Sequence, residues 1–224
     1  MKVTDKLTVT NEDNMELMSR YPDNYFDLAI VDPPYGIGVS EWMAKDSGNK
    51  RKNSATKKGV YSVKEWDSKP PTKEYFNELF RVSKNQIIWG ANNMTEHLNS
   101  CSGWIFWDKN TGSNGFSDGE LAYTSFKKGL RKFKWTWNGM IQQNMKNKQK
   151  RQHPTQKPIE LYEWLLMNYA KEGDKILDTH LGSGSIALAC HNLGFELTAC
   201  ELDQEYYDAS IKRIENHVSQ IRMF

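Results

Sequence analysis

The sequence predicts an α/β protein in which a largely parallel sheet is covered by helices. Two observations carry this. Short apolar runs alternate with segments of helical period along the chain, the pattern that builds parallel sheets through crossover helices. One such run, Lys175-Ile176-Leu177-Asp178, passes through the glycine turn Gly182-Ser183-Gly184-Ser185 straight into a helical segment.

In chain order, Leu7 to Thr10 reads as a strand and Met15 to Ser19 as a short helix. Phe26 to Val31 is a compact apolar strand, ended by Pro33 and Pro34, which have no N–H for a ladder. From about residue 38 to residue 71 the pattern disappears into Lys, Asn, Ser and Gly, which predicts a long, mobile basic loop. Tyr75, Phe76, Leu79 and Phe80 recur at helical spacing and predict a helix over Thr72 to Val82. Asn85 to Trp89, Gly103 to Trp107 and Leu121 to Phe126 read as strands, whereas residues 127 to 152 are basic and aromatic with little period. Lys157-Pro158 opens a helix to about Ala170, with proline suited to the first turn. After the strand ending at Asp178 come a helix over Ile186 to Asn192, a strand over Phe195 to Cys200, and a last amphipathic helix over Glu205 to His217.

A chain of 224 residues with 38% hydrophobic content is large enough for one sizeable core, so a single domain over residues 1–224 is expected. The three cysteines, Cys101, Cys190 and Cys200, show no metal-ligand spacing, so no metal is predicted and reduced, buried thiols are expected. No run approaches the roughly 20 apolar residues of a membrane span, and Met1 to Thr10 lacks the apolar run of a signal peptide. The expected location is therefore cytoplasmic.

Two segments carry chemistry. In the first, the turn after Asp178 holds two glycines that let a ligand approach the backbone without a Cβ in the way. Twenty-three residues after Asp178 the next strand ends at Glu201, placed to accept hydrogen bonds from both ribose hydroxyls of a nucleoside. The turn is not Gly-x-Gly-x-x-Gly and lacks the lysine of a phosphate-binding loop, so a nucleoside without pyrophosphate fits better than NAD or ATP. By itself the turn is equally an ordinary strand–helix connection; Glu201 shifts the reading toward a ligand.

The second segment is Asp32-Pro33-Pro34-Tyr35, at the end of an apolar strand, where open α/β sheets bind ligands. An exocyclic amine on a base is a poor nucleophile because its lone pair is delocalised into the ring. A carboxylate from Asp32 and a carbonyl fixed by the stiff proline pair can accept its two N–H bonds and free that lone pair for attack on a methyl sulfonium. Tyr35 offers a flat face to a base taken out of the duplex. Most Pro-Pro turns are only turns, with an Asp cap and a packed Tyr; the nucleoside turn elsewhere in the chain weakens that reading.

These motifs resemble the amino-methyltransferases of DNA. Asp32 to Tyr35 matches the family's Asp/Asn/Ser-Pro-Pro-Tyr/Phe, and Asp178 to Ser185 is similar to its cofactor loop Asp-Pro-Phe-x-Gly-Ser-Gly-Thr. The order, with His153-Pro154-Thr155-Gln156-Lys157-Pro158 between the two, resembles the permuted β class and its small phage or prophage-type members, as does the segment Trp104 to Phe126. The resemblance implies a Rossmann-like methyltransferase fold, a mainly parallel seven-stranded sheet with one antiparallel strand, and S-adenosyl-L-methionine as cofactor. It implies a catalytic site at Asp32, Pro33, Pro34 and Tyr35. Asp178, His180, Gly182, Ser183, Gly184, Ser185 and Glu201 would bind the cofactor, with Lys157 and Pro158 near its methionine portion and Asp13 close by. Thr179-His180 replaces the family's Pro-Phe, with His180 still presenting a planar ring, and Ser185 keeps the hydroxyl of the final Thr. An Asp at position 32 points to adenine N6 rather than cytosine N4. The resemblance implies a setting of restriction–modification in a bacterial or phage-infected cell, and is compatible with a homodimer.

Net charge is only +2, but its distribution is uneven. Lys127, Lys128, Arg131, Lys132, Lys134, Lys146, Lys148, Lys150 and Arg151 form a run without Asp or Glu, interleaved with Trp135, Trp137, Asn138, Gln142 and Gln143. Such a run predicts a short target-recognition region over about 127–152 that contacts phosphates and base edges, although solvated lysine-rich surfaces are common. Lys45 to Lys73 holds nine further basic residues against Asp46, Glu65 and Asp67, and would close over a flipped base. The expected partner is DNA. Alternatives are cytosine N4, RNA or a protein glutamine as the methylated group, and a cofactor-bound but inactive DNA-binding module, motivated by the altered Thr179-His180.

Overall fold

The computed structural model describes residues 2–38, 69–112, 117–138, 141–153 and 155–220. Most of the segment expected as a mobile basic loop therefore lies outside the described residues. The strands are β1 (Leu7–Asn11), β2 (Leu28–Val31), β3 (Gln86–Trp89), β4 (Trp104–Asp108), β5 (Gly119–Thr124), β6 (Arg131–Lys134), β7 (Trp137–Asn138), β8 (Ile141–Gln142), β9 (Lys175–Asp178) and β10 (Glu196–Glu201). The helices are α1 (Asn14–Ser19), α2 (Lys73–Val82), α3 (Ile159–Tyr169), α4 (Ser185–Leu193) and α5 (Gln204–Val218).

The main sheet has the order β1-β10-β9-β2-β3-β5-β4-β6. All neighbours pair in parallel except those of β5, which runs antiparallel to both β3 and β4. The single antiparallel strand is as expected, but the described sheet has eight strands rather than seven. The additional one is β6, an edge strand in which only Phe133 is buried and Arg131, Lys132 and Lys134 face solvent. Three exposed basic residues around one apolar position leave no readable strand pattern, which explains why residues 127 to 152 showed no period.

Strand residues point alternately to opposite faces, and here both faces are buried. In β2, Leu28 and Ile30 join one core cluster while Ala29 and Val31 join the other. Helices α3, α4 and α5 cover the first face through Leu161, Leu165, Ile186 and Ile214. The second face is covered by α1 and α2 through Leu17, Met18, Phe76 and Leu79. Each fully buried side chain of this size stabilises by roughly 1.5–3 kcal/mol, so both faces hold the sheet firmly behind its functional edge.

Capping matches the residue types. Asp13 accepts the Met15 N–H at 2.7 Å and opens α1, and Asp203 accepts from Glu205 and Tyr206 and opens α5. Gly184 at φ 76° turns the chain from the glycine loop into α4. Pro158 stands one position before α3, in extended conformation, rather than within its first turn. No described helix is long and apolar enough to cross a membrane.

Candidate active site

From the central pair β9 and β2, the chain moves outward in opposite directions, to β10 on one side and to β3 on the other. Ligands of open α/β sheets bind outside the carboxyl ends of the strands at such a reversal. A cavity of about 610 Å³ opens there, and its wall includes Asp32, Lys157, His180, Gly182, Glu201 and Tyr206. The two motifs read separately from the sequence thus share one chamber, of a size typical for small-molecule sites.

At the catalytic corner, Asp32 follows β2 directly. Its Oδ1 accepts from the Tyr35 hydroxyl at 2.7 Å, and its Oδ2 accepts from Lys157 Nζ at 2.6 Å. Lys157 is 2% exposed and also donates to Glu120 Oε2 at 3.0 Å. Glu120 is paired in turn with Lys109. Two carboxylates and two ammonium groups therefore balance in charge at the mouth of β2. Burial works against the Lys157 charge, but Asp32 and Glu120 hold its pKa above the ordinary lysine value. Sequence reading covered Glu120 and Lys109 only as part of the family-like segment Trp104 to Phe126 and gave them no role. Glu120 belongs to the antiparallel strand, whose start lies beside the ends of β3 and β4, since Trp89 pairs with Ala122 and Trp107 with Glu120. Gly90 was missed as well. It has φ 66°, and a Cβ there would lie 2.0 Å from the Tyr35 ring. Only glycine lets Tyr35 pack against the end of β3.

In the cofactor half, Glu201 Oε2 accepts from Gly182 N at 2.8 Å and Oε1 accepts from Asp203 N at 2.9 Å. This fixes the carboxylate while leaving lone pairs for a ligand. Gly182 has φ 53°, and a Cβ there would find no atom nearer than 3.9 Å, so space beside the turn is left open to the cavity. Ser183 lines the cavity and its carbonyl is held from behind by Arg213, which also donates to Ser185 Oγ. Ser185 Oγ in turn donates to the Lys157 carbonyl at 2.8 Å. Gly184 and Ser185 therefore shape the turn, and Lys157 touches the glycine loop through its carbonyl while its ammonium reaches Asp32. Asp178 is 2% exposed and accepts the His180 N–H at 3.0 Å. Burial pushes its carboxyl up to about 8. Asp13, expected near the ligand, turns to the α1 backbone as a cap; its neighbours Glu12 and Asn14 form the cavity wall instead.

The Thr179-His180 departure has a structural counterpart. His180 Nδ1 lies 2.9 Å from Thr179 Oγ1, which lies 2.7 Å from the Tyr75 hydroxyl, while His180 Nε2 is 3.2 Å from Asn14 Nδ2. With the Asn14 amide donating to Nε2, the ring carries its proton on Nδ1 and donates to Thr179, which donates to Tyr75. Burial holds His180 down at about 4, so the ring is neutral at physiological pH. All four residues line the cavity. Four connected side chains thus provide a neutral polar wall where the family motif has Pro-Phe.

The basic run divides on inspection. Lys127, Arg131, Lys132, Lys134, Lys146, Lys148 and Lys150 are exposed, and Lys132 lies 3.7 Å from Asp108. Lys128 donates to the Asn168 carbonyl at the end of α3, and Arg151 lies over the Trp137 ring. The expected interleaved readers are partly structural. Trp137 is buried with its indole N–H on the Gln156 carbonyl, and Trp135 stacks on Phe133. Gln142 is buried and bonds both backbone groups of Gln149. Among the described residues, no cluster of His, Cys, Asp and Glu is arranged to hold a metal.

The chain is 25% identical over 244 residues to the type II methyltransferase M.HpaI of Haemophilus parainfluenzae, covering 90% of this chain and 72% of that protein. It is 24% identical to the type II methyltransferase M2.DpnII of Streptococcus pneumoniae, covering 94% of this chain and 90% of that protein. In fold it is similar to M1.HpyAVI solved with SAM, at a TM-score of 0.54 and 22% identity, covering 92% of this chain and 98% of that one. A family model for N6 and N4 methyltransferases, described as DNA methylase, matches residues 84–212, more than half of the chain. The protein belongs to this DNA methylase family of amino-methyltransferases, whose methyl donor is S-adenosyl-L-methionine.

Proposed function

We propose that the protein methylates the N6 amine of adenine in DNA, with the base turned out of the duplex into the cavity beside Asp32. The observation that carries this is the shared chamber: Asp32 and Glu201 line one cavity, so a nucleoside held at Glu201 and an amine held at Asp32 meet within it. The wall fits S-adenosyl-L-methionine in its donor set. Glu201 offers acceptors for ribose hydroxyls and Gly182 leaves open space, while the Asp178 carboxyl, buried behind the wall, is raised by burial and gains from positive charge brought nearby.

When bound, S-adenosyl-L-methionine supplies an electrophilic methyl group on a sulfonium. The chain's own residues do the rest. Asp32 accepts an N–H of the target amine and draws its lone pair out of the ring, while the Pro33-Pro34 turn holds a carbonyl for the other N–H. Tyr35, seated by Gly90, orients Asp32 through its hydroxyl and offers its ring to the base. His180 stays neutral and adds no repulsive charge beside a cationic donor. The exposed lysines of 127–150 and Arg131 face the phosphates, which makes binding fall steeply with salt.

Incubation of purified protein with labelled S-adenosyl-L-methionine and duplex DNA, followed by nucleoside analysis, tests the proposal. N6-methyladenine is expected. N4-methylcytosine instead would move the reading to cytosine, and transfer unchanged in Asp32→Ala would exclude the site.

A further inference from the structure

Two partly buried carboxylates share one buried lysine at this site, and their surroundings separate their behaviour. Asp32 lines the cavity and takes hydrogen bonds from Tyr35 and Lys157. Glu120 stands behind, held by Lys157 and Lys109, with the Tyr35 hydroxyl 3.4 Å from its Oε2. A buried lysine with only Asp32 as partner would lose that partner whenever Asp32 took up a proton, leaving an uncompensated charge in the interior.

We infer that Glu120 is a positioning residue for methyl transfer: it is the permanent counter-ion of Lys157, which leaves Asp32 able to receive the proton that the methylated amine sheds. The inference rests on Asp32 being the catalytic carboxylate. The balance is as follows. The amine nitrogen forms the N–C bond as the C–S bond breaks, with that electron pair remaining on sulfur. The nitrogen, now cationic, gives one proton to Asp32 and keeps the N–H electron pair. Asp32 becomes a neutral acid, while Glu120 stays ionised between Lys157 and Lys109, so Lys157 keeps a counter-ion and the cluster carries one net positive charge until the proton leaves. Asp32 later releases the proton to solvent.

Burial raises the Asp32 pKa from the ordinary aspartate value and the Glu120 charge adds to this, against the pull of Lys157. Burial also works against ionised Glu120, but the Lys157 and Lys109 charges outweigh it and hold it well below the usual carboxylate range. Groups whose environments drive their affinities for protons apart divide the acid–base roles between them. The other titratable groups bearing on Asp32 are Tyr35, Tyr162 from α3 and Asp178 from β9.

Removing the Glu120 charge and removing the Lys109 charge have opposite effects on Asp32. In Glu120→Gln the acid limb of kcat/KM is expected to move down by about one pH unit and kcat to fall about 10-fold. In Lys109→Met the limb is expected to move up, because Glu120 draws Lys157 away from Asp32. Carboxyl carbon NMR of the cofactor-free protein, with Asp32 assigned by its loss in Asp32→Asn, reads the same two shifts without turnover. Calorimetric binding of S-adenosyl-L-methionine, unchanged in both variants, shows that the fold is retained. An unshifted limb and an unshifted Asp32 resonance in both variants would overturn the role of Glu120. Transfer that survives Asp32→Ala would overturn the underlying site reading instead.

Discussion

The two halves of the cavity handle charge in opposite ways. At the catalytic corner, Asp32 and Glu120 meet the ammonium groups of Lys157 and Lys109. In the cofactor half, Asp178 and Glu201 take hydrogen bonds from backbone N–H groups, and burial raises both. The first half is neutralised by its own side chains; in the second, Arg213 bonds Ser183 and Ser185, and among the described residues no lysine or arginine forms an ion pair with Asp178 or Glu201. This division suits the reactants. In the proposed reaction a neutral base amine meets a carboxylate paired with Lys157, whereas the sulfonium nucleoside brings a positive charge of its own.

The comparison breaks most sharply under crossed substitutions. Asp32→Asn is expected to lower kcat about 10³-fold, within the usual range for a lost proton acceptor, while cofactor affinity stays within about two-fold by calorimetry. Glu201→Gln should do the reverse. Loss of charged acceptors for the ribose weakens cofactor binding roughly 10- to 100-fold, with kcat at saturation nearly kept. If both variants changed binding and turnover together, the two halves would not be separable.

A smaller effect is expected at the seam. Gly90→Ala puts a Cβ into the Tyr35 ring and an L-residue into the left-handed region, which costs about 1–2 kcal/mol before any clash is relieved. Turnover should fall about 10-fold with cofactor affinity unchanged, as steady-state kinetics and calorimetry would show. The smallest effect is a proton count. With Asp178 pushed up to about 8, cofactor binding near pH 7 should release a fraction of a proton, visible as a dependence of binding enthalpy on buffer. The same group sets a stability slope. Its folded pKa lies above the unfolded value, so its contribution is fully present below about pH 4 and is lost as pH rises toward 8. Asp178→Asn should flatten that slope in thermal unfolding and melt above the parent at pH 8.

Which parts were legible follows from the physics of each signal. β2, β9 and β10 could be read because a strand buried on both faces is a continuous apolar run, and the residue at or just past its end is where ligands bind. Asp32 and Glu201 were found that way. Glu120 was not, because it lies at the start of a strand, and only the antiparallel course of β5 brings it to the same edge. Gly90 was invisible for another reason: its glycine is required by the Tyr35 ring, 55 positions earlier in the chain. The Asn14–His180–Thr179–Tyr75 chain draws on three elements, so no spacing announces it. In the basic run, charge was readable but burial was not, and Trp137 and Gln142 proved to be internal supports.

The enclosure of Lys157 has a practical consequence for chemical labelling. Its ammonium is held by two carboxylates, lies 5.7 Å from the Tyr35 ring centre and 5.4 Å from that of Trp89, and is 2% exposed. An amine-directed acylating reagent needs an unprotonated, accessible nitrogen, and this one offers neither. Mild acetylation should therefore modify Lys127, Lys132 and Lys134 on the open edge while sparing the reaction centre, so a footprint with and without DNA can map the polymer-facing surface on an enzyme whose chemistry is still intact.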